Sequence, residues 1–288
     1  MKIRNSILLG IMFFLVTFGG CLPQPQETPT KGYLKCYVDE SLYNVVKDER
    51  DLFVDLYEDS KIDLIPVSAR EGIAAVINGD AKMFVSSRNL NEEETGFIRK
   101  NKSGVKIFKF CYDGIAVIVN SNNGIEKMDV DELTELLLGT KKNISVIIPE
   151  SNSGVYEFVK DELLKGKYPA GAEIAGTEKE VIDKVKKDKN SVGLVGLDLL
   201  KNESGVFVLE IGGGGQNLMG KKYIEPLPGY LVNGEYPLMR TTYIFLNEIG
   251  LHVASGFTTF LTSNEGQRVV MKNDLGPATV PVKLIQLN

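Results

Sequence analysis

The hydrophobic residues of this chain follow two patterns that replace each other repeatedly from residue 33 onward. Short apolar runs predict β-strands, and apolar residues three or four positions apart predict amphipathic helices. The predicted strands cover residues 33–38, 62–67, 83–85, 115–120, 144–148, 192–195 and 242–246. The predicted helices cover residues 42–57, 71–78, 92–100, 130–138, 155–164, 178–187 and 254–272. Such alternation is typical of an α/β fold with largely parallel strands.

Two segments of this pattern are typical of crossings between separate lobes. Residues 113–120 end the first series of strands and helices, and a new series starts after them. Residues 236–243 end the second series, after the turn-rich segment 212–235. We therefore predict one lobe from residues 33–120 plus 239–288 and a second lobe from residues 121–238. Two lobes joined in this way can close on a small ligand.

The N-terminal segment has the pattern of an export signal. Lys2 and Arg4 precede an apolar run over residues 7–18, which is shorter than the roughly 20 residues of a membrane-spanning helix. Gly19 and Gly20 before Cys21 resemble the bacterial lipobox. We predict that residues 1–20 are removed and that Cys21 carries lipid. An ordinary signal peptide with an incidental cysteine is the alternative.

Residues 21–32 are rich in proline, glutamine and threonine and have no apolar face. This composition predicts an extended tether between the lipid and the folded lobes. The expected location is therefore the extracytoplasmic face of the cell membrane.

Charge and histidine content exclude several function classes. With 38 acidic residues against 33 basic ones and no basic run, the chain is not expected to bind nucleic acid. His252 is the only histidine, and its neighbours predict a packed helix start. A histidine-dependent catalytic site and a metal cluster are therefore not expected. We predict no enzyme activity, no metal and no cofactor.

A glycine-rich segment, residues 215–222, nearly matches a nucleotide phosphate-binding loop. Lys222 stands where that motif needs a hydroxyl group, and Pro226 and Pro228 follow where it needs a helix. We interpret the segment as a loop of the second lobe.

Cys36 and Cys111 both lie in apolar, strand-like runs. A disulfide between them is possible in an exported protein. Buried free thiols are the preferred interpretation.

The predicted strand over residues 83–85 runs directly into Ser86, Ser87 and Arg88. Open α/β sheets place their ligand crevices at the carboxyl ends of strands. Two hydroxyl groups and a guanidinium group at such an end suit an anion, although a plain polar loop is the alternative. Asn91 is predicted to cap the helix that follows.

Six motifs in the same order resemble those of the phosphate-binding (PstS-like) substrate-binding proteins of ABC importers. They are GDAKMFVSSRNL (residues 79–90), DGIAVIVN (113–120), SG (153–154), SVGLVG (191–196), YPLMR (236–240), and SNEGQ (263–267) followed by GP (276–277). The resemblance covers nearly all of the chain after the tether. It implies a two-lobed periplasmic-binding-protein type II fold with two hinge crossings. It also implies a monomer that captures phosphate or a similar oxyanion and delivers it to importer membrane subunits.

The resemblance also implies where the ligand lies. The ligand positions of the family fall here on Ser41, Arg70, Ser87, Arg88, Ser153 and Gly154. Arg70 stands where the family usually has a serine, and the arginine and threonine of the family's fourth motif are missing. Arg70 and Arg88 are therefore expected to supply the positive charge.

Three acidic residues intrude on these motifs, namely Glu40, Glu71 and Glu150. In a phosphate carrier they are expected to pair with Arg70, Arg88 or a lysine, to turn to solvent, or to be protonated. They also favour an alternative, in which the lipoprotein keeps the fold but senses a ligand or binds a partner at the envelope.

Overall fold

The computed structural model describes residues 27–101, 103–213 and 222–279. The first part of the chain forms β1 (Gly32–Asp39), α1 (Tyr43–Leu56), β2 (Ser60–Val67), α2 (Ala69–Asn78), β3 (Met83–Ser86), α3 (Glu92–Asn101) and the long strand β4 (Lys106–Asn120). The middle part forms β5 (Lys127–Asp129), α4 (Val130–Leu138), β6 (Ser145–Pro149), α5 (Gly154–Phe158), β7 (Ala172–Ala175), α6 (Glu178–Lys187), β8 (Ser191–Gly196), β9 (Val206–Val208), β10 (Glu210–Gly212), β11 (Tyr223–Ile224) and α7 (Pro228–Val232). The last part forms β12 (Met239–Leu246), α8 (Val253–Leu261), α9 (Asn264–Lys272) and β13 (Gly276–Pro277).

One sheet runs through both lobes in the order β2-β1-β3-β12-β4-β8-β6-β7. β1 is parallel to β2 and β3 in the first lobe, and β6 is parallel to β7 and β8 in the second. β4 pairs antiparallel with β12 over its first part, where Gly114 lies opposite Met239. It then pairs with β8 from Ile115 to Val119. β4 and β12 are therefore the two predicted crossings.

Two apolar cores lie on either side of these crossings. The first packs β1, β3 and the start of β4 against α1, α8 and α9, and it includes Phe53 and Phe257 with ring centroids 5.3 Å apart. The second packs the end of β4, β6 and β8 against α4 and α5. α2 and α6 cover the opposite faces of the sheet. The two-lobed α/β fold is thus confirmed, while the domain bounds given above stay a prediction.

Several helix ends follow from local sequence. Thr177 Oγ1 accepts a hydrogen bond of 3.1 Å from the backbone N–H of Glu180, which is the N-cap of α6. Asn91 Oδ1 accepts one of 2.8 Å from the backbone N–H of Glu94, so the predicted cap of α3 is confirmed. α2 ends at Gly79 with a φ of 84°, a left-handed conformation that glycine adopts without steric strain.

The structure differs from the predicted elements in three places. The prediction of a single helix over residues 254–272 is wrong, because Ser263 caps a new helix and separates α8 from α9. The helix predicted over residues 155–164 is α-helical only to Phe158 and continues as a π-helical turn, Val159–Leu163. Residues 28–31 of the predicted tether form a turn. The signal peptide, Cys21 and most of the glycine-rich segment lie outside the described residues.

Cys36 and Cys111 are buried free thiols, which confirms the preferred interpretation. Within the described parts of the chain, no helix is long and apolar enough to cross a membrane.

Glu49 on α1 is fully buried, and neither oxygen of its carboxyl group has a hydrogen-bond partner in the described part of the chain. Burial, with a smaller contribution from the charge of Asp48, raises the pKa of Glu49 to about 9. The folded protein therefore holds this carboxyl group protonated at neutral pH, whereas the unfolded chain ionises it from its ordinary value of 4.5 upward.

We expect Glu49→Gln to remove a pH dependence of stability. A raised pKa in the folded state means that the contribution of Glu49 to stability is fully present below pH 4.5 and declines as pH rises toward 9. At 1.36 kcal/mol per pKa unit, the wild type should lose about 2.5 kcal/mol relative to the variant between pH 5 and pH 7. Urea unfolding curves across this range measure the difference. The exposed Glu58→Gln should behave as wild type, and parallel pH profiles of wild type and Glu49→Gln would contradict the prediction.

Candidate functional site

The ends of several strands meet where the two lobes touch. In the first lobe, Asp39 ends β1 and Ser87 follows β3. In the second lobe, Gly154 opens the helix after β6, and Gly196 ends β8. This is the crevice position of an open α/β sheet, so the local topology brings polar loop residues of both lobes together.

Two glycines allow the close approach of the lobes. A Cβ atom on Gly154 would lie 1.9 Å from Ser87 Oγ, and one on Gly196 would lie 2.7 Å from Ser41 Cβ. Both distances are shorter than a van der Waals contact. No larger residue fits at either position while the lobes are closed in this way.

Arg240, near the start of β12, lies at the bottom of this contact. Its Nε and Nη2 donate hydrogen bonds of 2.9 and 2.7 Å to Asp113 Oδ2, and its side chain is 4% exposed. Nη1 has no hydrogen-bond partner within the described residues and lies 3.4 Å from the Cβ position of Gly154. Burial opposes the charge of Arg240, but nearby carboxylates, Asp113 above all, outweigh burial and raise its pKa. The guanidinium group is therefore a charged donor with one nitrogen to spare.

Two carboxyl groups of the chain accept hydrogen bonds from the hydroxyl and backbone N–H donors that lie near Arg240. Asp39 accepts a hydrogen bond of 2.6 Å from Ser87 Oγ and one of 3.1 Å from the backbone N–H of Ser41. Glu178 accepts one of 2.5 Å from Ser41 Oγ and one of 2.6 Å from the backbone N–H of Gly196. Burial, and then the charge of Asp39, raise the pKa of Glu178 to about 7, against the opposing effect of Arg240. The hydroxyl and backbone N–H groups that could bind an oxyanion thus donate to Asp39 and Glu178 in this arrangement.

A second set of charges joins the lobes beside this contact. The Nη1 and Nη2 atoms of Arg88 each donate a hydrogen bond of 2.8 Å to Glu94 in the same lobe. The Nε atom of Arg88 contacts Glu157 of α5 in the other lobe. Arg70 Nη2 donates to the same Glu157 at 3.1 Å. Glu157 therefore links two arginines of the first lobe to the second lobe.

The predicted site residues divide into two groups. Ser41, Ser87 and Gly154 surround Arg240, and Ser153 caps α5 by accepting a hydrogen bond of 3.1 Å from the backbone N–H of Tyr156. Arg70 and Arg88 instead pair with Glu157. The role of each residue in ligand binding stays a prediction.

Sequence reasoning did not single out Arg240, Asp39 or Glu178 as ligand-site residues. The sequence does contain a signal for Arg240, because it is the charged end of the YPLMR motif. It also lies two and four positions before the buried Thr242 and Ile244, on the same face of β12. The sequence contains no such signal for Glu178, since the first turn of a helix is an ordinary place for an exposed glutamate.

A crevice of about 160 Å³ opens on one side of the contact and is strongly acidic. Its lining includes five carboxyl groups, those of Asp39, Glu40, Glu71, Glu150 and Glu178. Glu71 and Glu150 are exposed, as expected for acids that turn to solvent, and burial followed by the charge of Asp39 raises the pKa of the half-buried Glu40.

A larger groove of about 440 Å³, here called the side groove, opens on another side of the same contact. Its lining residues are Ser87, Arg88, Asn89, Leu90, Asn91, Gly154, Glu157, Phe158, Asp161, Glu162, Met239, Arg240, Thr241 and Tyr243. Arg240 and Gly154 thus lie at the boundary between the groove and the contact of the lobes.

Two lobes that close over strand ends and share two crossing strands are the architecture of a known family. Residues 23–265 match the profile of the PBP superfamily domain. The chain belongs to this family. Membership confirms the fold that the six motifs implied, including its two crossings.

Similar proteins agree with this assignment. The phosphate-binding protein PstS of Staphylococcus aureus (strain USA300) is 24% identical over 280 residues, which cover 91% of this chain and 84% of that protein. A Clostridium perfringens protein, provisionally assigned as a phosphate ABC transporter substrate-binding protein and solved with bound phosphate, is 20% identical with a TM-score of 0.74, covering 86% of this chain and all 100% of that one. An ABC-type phosphate transport receptor from Vibrio cholerae is 15% identical with a TM-score of 0.64, and the match covers 84% of this chain and 99% of that one. These solved structures show the shared fold.

Proposed function

We propose that this protein is an extracytoplasmic substrate-binding protein that captures phosphate between its lobes and delivers it to the membrane subunits of an ABC importer. The observation that carries the proposal is the buried Arg240 side chain, whose Nη1 has no partner among the described residues and lies beside Gly154. A phosphate-binding relative that aligns with 91% of the chain supports the same function. Both favour a binding protein over an enzyme, and we propose that it acts as a monomer.

The proposed ligand would replace hydrogen bonds that the chain now makes to itself. When the lobes part, Ser41 Oγ leaves Glu178 of the other lobe and can donate to a phosphate oxygen. Ser87 Oγ, whose partner Asp39 lies in its own lobe, can exchange that hydrogen bond for one to a second phosphate oxygen. Asp39, which accepts hydrogen bonds from Ser87 and Ser41 here, suits a ligand oxygen that carries a proton. Glu178, whose pKa burial raises to about 7, can itself hold a proton and donate it to another oxygen.

The test is a calorimetric titration of the full-length protein in detergent with phosphate and with sulfate at pH 7. We expect saturable phosphate binding and sulfate binding at least about tenfold weaker, a difference of about 1.4 kcal/mol, because sulfate carries no proton for Asp39 to accept. The absence of saturable heat up to about 1 mM phosphate, a binding free energy weaker than about −4 kcal/mol, would overturn the proposal.

The acidic crevice favours a second candidate, in which the protein senses a ligand or binds a partner at the envelope and carries no phosphate. Two unit charges about 4 Å apart repel by about 4 kcal/mol at an effective dielectric constant of 20. A phosphate carrier should keep its affinity within a few fold in Glu40→Gln, Glu71→Gln and Glu150→Gln. Tight phosphate binding that arises only in these neutral variants would favour the second candidate.

We also propose that lipid on Cys21 holds the protein at the membrane. Cys21→Ala should move the protein from the membrane fraction to the soluble fraction, because removal of the acyl chains removes the apolar anchor. Fractionation after a high-salt wash measures this, and Gln26→Ala in the same segment is the control that should stay with the membrane. A Cys21→Ala protein that remains in the washed membranes would rule out the lipid attachment.

A further inference from the structure

Two large apolar side chains protrude from one short loop of the first lobe. This loop, residues 247–252, joins β12 to α8 and is here called the apolar loop. Ile249 is 95% exposed and Leu251 is 73% exposed. A single exposed apolar residue is ordinary on a protein surface, whereas two neighbouring ones of this size are a sign of a contact surface.

The fold holds the apolar loop in this protruding shape. The carboxyl group of the buried Glu248 accepts hydrogen bonds from Ser255, of 2.9 Å from the backbone N–H and 2.7 Å from Oγ. The backbone N–H of Asn247 donates to the carbonyl oxygen of Lys82 at 2.8 Å. Gly250 turns the chain with a φ of 93°, a conformation that favours glycine. The exposure of the two apolar side chains is therefore fixed by the fold.

The apolar loop continues into a larger apolar area of the first lobe. Leu251 lines a groove of about 490 Å³ together with Leu56, Tyr57 and Phe260. Leu56 ends α1, Tyr57 follows it, and both side chains are exposed. Leu251 therefore connects the apolar loop to the exposed end of α1.

The first described residues of the chain lie beside the apolar loop. Pro29 lines the same groove as Leu251. Glu27 pairs with Lys82 at 3.8 Å, and Lys82 is the residue whose carbonyl oxygen binds Asn247. The N-terminal segment therefore joins the first lobe at the face that carries the apolar loop.

The proposed lipid on Cys21 keeps this face close to a membrane. Cys21 and Glu27 are six positions apart. An extended chain spans at most about 3.6 Å per residue, so Glu27 lies within about 22 Å of Cys21. Apolar groups of a peripheral protein enter the headgroup region by roughly 5 to 10 Å. The lipid surface is thus within reach of Ile249 and Leu251.

The charges beside the apolar loop favour a neutral lipid surface over an anionic one. Lys82 pairs with Glu27, and Lys31 pairs with Asp59 at 3.1 Å. These two lysines therefore already have acidic partners. Burial of apolar surface is then the main driving force for contact, and salt should not weaken it.

A membrane contact at the apolar loop leaves the proposed phosphate site free. Arg240 lies near the start of β12, and the apolar loop follows the end of that strand at Leu246. At about 3.3 Å per residue, these two ends of the strand are about 20 Å apart. The lobes can therefore open and close while the loop stays on the membrane.

We propose that the apolar loop is a second membrane contact, which inserts Ile249 and Leu251 into the lipid surface to which Cys21 is tethered. The inference rests on the proposed lipid attachment and not on phosphate capture. A tether alone lets the protein rotate, whereas two contacts fix the first lobe against the membrane. Stable attachment of peripheral proteins commonly needs two such signals.

The test uses a fluorescent side chain at one position. The chain contains no tryptophan, so a single introduced one reports only on its own surroundings. The full-length lipoprotein variants Leu251→Trp and Tyr168→Trp are reconstituted in phosphatidylcholine vesicles. Tyr168 is the matched control, since it lies in the second lobe and is 70% exposed.

We expect the emission of Leu251→Trp to shift to shorter wavelength on vesicles. It should lose most of its intensity when the acyl chains of the lipid carry bromine, at low and at high salt alike. Tyr168→Trp should show neither change. Adding Ile249→Ser to Leu251→Trp should reduce the quenching, because one of the two apolar contacts is lost.

Three results would overturn the membrane contact. The first is equal quenching of Leu251→Trp and Tyr168→Trp, or quenching of neither. The second is a shift of Leu251→Trp without quenching by brominated lipid, because protein and not lipid then covers the loop. The third is a wild-type protein that does not float with the vesicles, in which case the lipid attachment fails as well. Phosphate titrations of Leu251→Trp should match those of wild type, so the fate of phosphate capture is decided separately.

Discussion

Replacing Arg240 with methionine should lower the free energy of unfolding by about 3 to 5 kcal/mol and abolish phosphate binding. Asp113 is fully buried and accepts two hydrogen bonds from Arg240, so the variant leaves a carboxyl group in the core without its charged partner. The loss of the charged donor at the contact of the lobes removes binding at the same time. Urea unfolding and calorimetry measure the two effects separately.

A second variant separates the structural role of Arg240 from its proposed binding role. The double variant Arg240→Met, Asp113→Asn removes both charges, and it should recover most of the lost stability while phosphate binding stays absent. Arg99→Met, at an exposed position on α3, should resemble wild type in both measurements. Phosphate affinity that is restored in the double variant would show that Arg240 only balances Asp113.

Gly154→Ala should weaken phosphate binding by more than about 100-fold, or about 2.7 kcal/mol, with little change in unfolding. A Cβ atom at this position would lie 1.9 Å from Ser87 Oγ and 3.4 Å from Arg240 Nη1, so the lobes cannot reach the closed arrangement. Each lobe keeps its own core, and for that reason the fold survives. Small-angle X-ray scattering should show a larger radius of gyration with phosphate present than for wild type.

The matched control for this change is Gly229→Ala, which adds the same methyl group in the second lobe. A Cβ atom at Gly229 meets no other atom within 4 Å. Its phosphate affinity and scattering curve should match those of wild type. If Gly154→Ala binds phosphate as tightly as this control, the closed contact between Gly154 and Ser87 is not part of the bound state.

The alternation of strands and helices was predictable because it depends on local hydrophobic spacing alone. The break between α8 and α9 was also present in the sequence, since Ser263 is a good N-cap followed three residues later by Gly266, whose backbone N–H it binds. Continuous apolar spacing on both sides of Ser263 hid this signal. Cap residues therefore need as much weight as periodicity when a long helix is predicted.

The partners of the site arginines could be predicted only in part. Glu94 lies six residues after Arg88, and its exchange of hydrogen bonds with Asn91 is a local capping pattern that the sequence contains. Glu157 lies in the other lobe, and nothing in its local sequence indicates that it meets Arg88 or Arg70. The contact depends on how far the lobes close, and periodicity carries no information on that distance.

The position of β12 has a consequence for the order in which the chain folds. β12 lies between β3 and β4 in the sheet, although more than a hundred residues separate it from β4 along the chain. The first lobe therefore lacks a central strand until the residues of β12 have emerged, whereas the second lobe is contiguous in sequence. Closing such a long loop is slow, because its entropy is lost before the strand contacts form. During synthesis, the second lobe can complete its core first, and the N-terminal half must wait for the C-terminal strand.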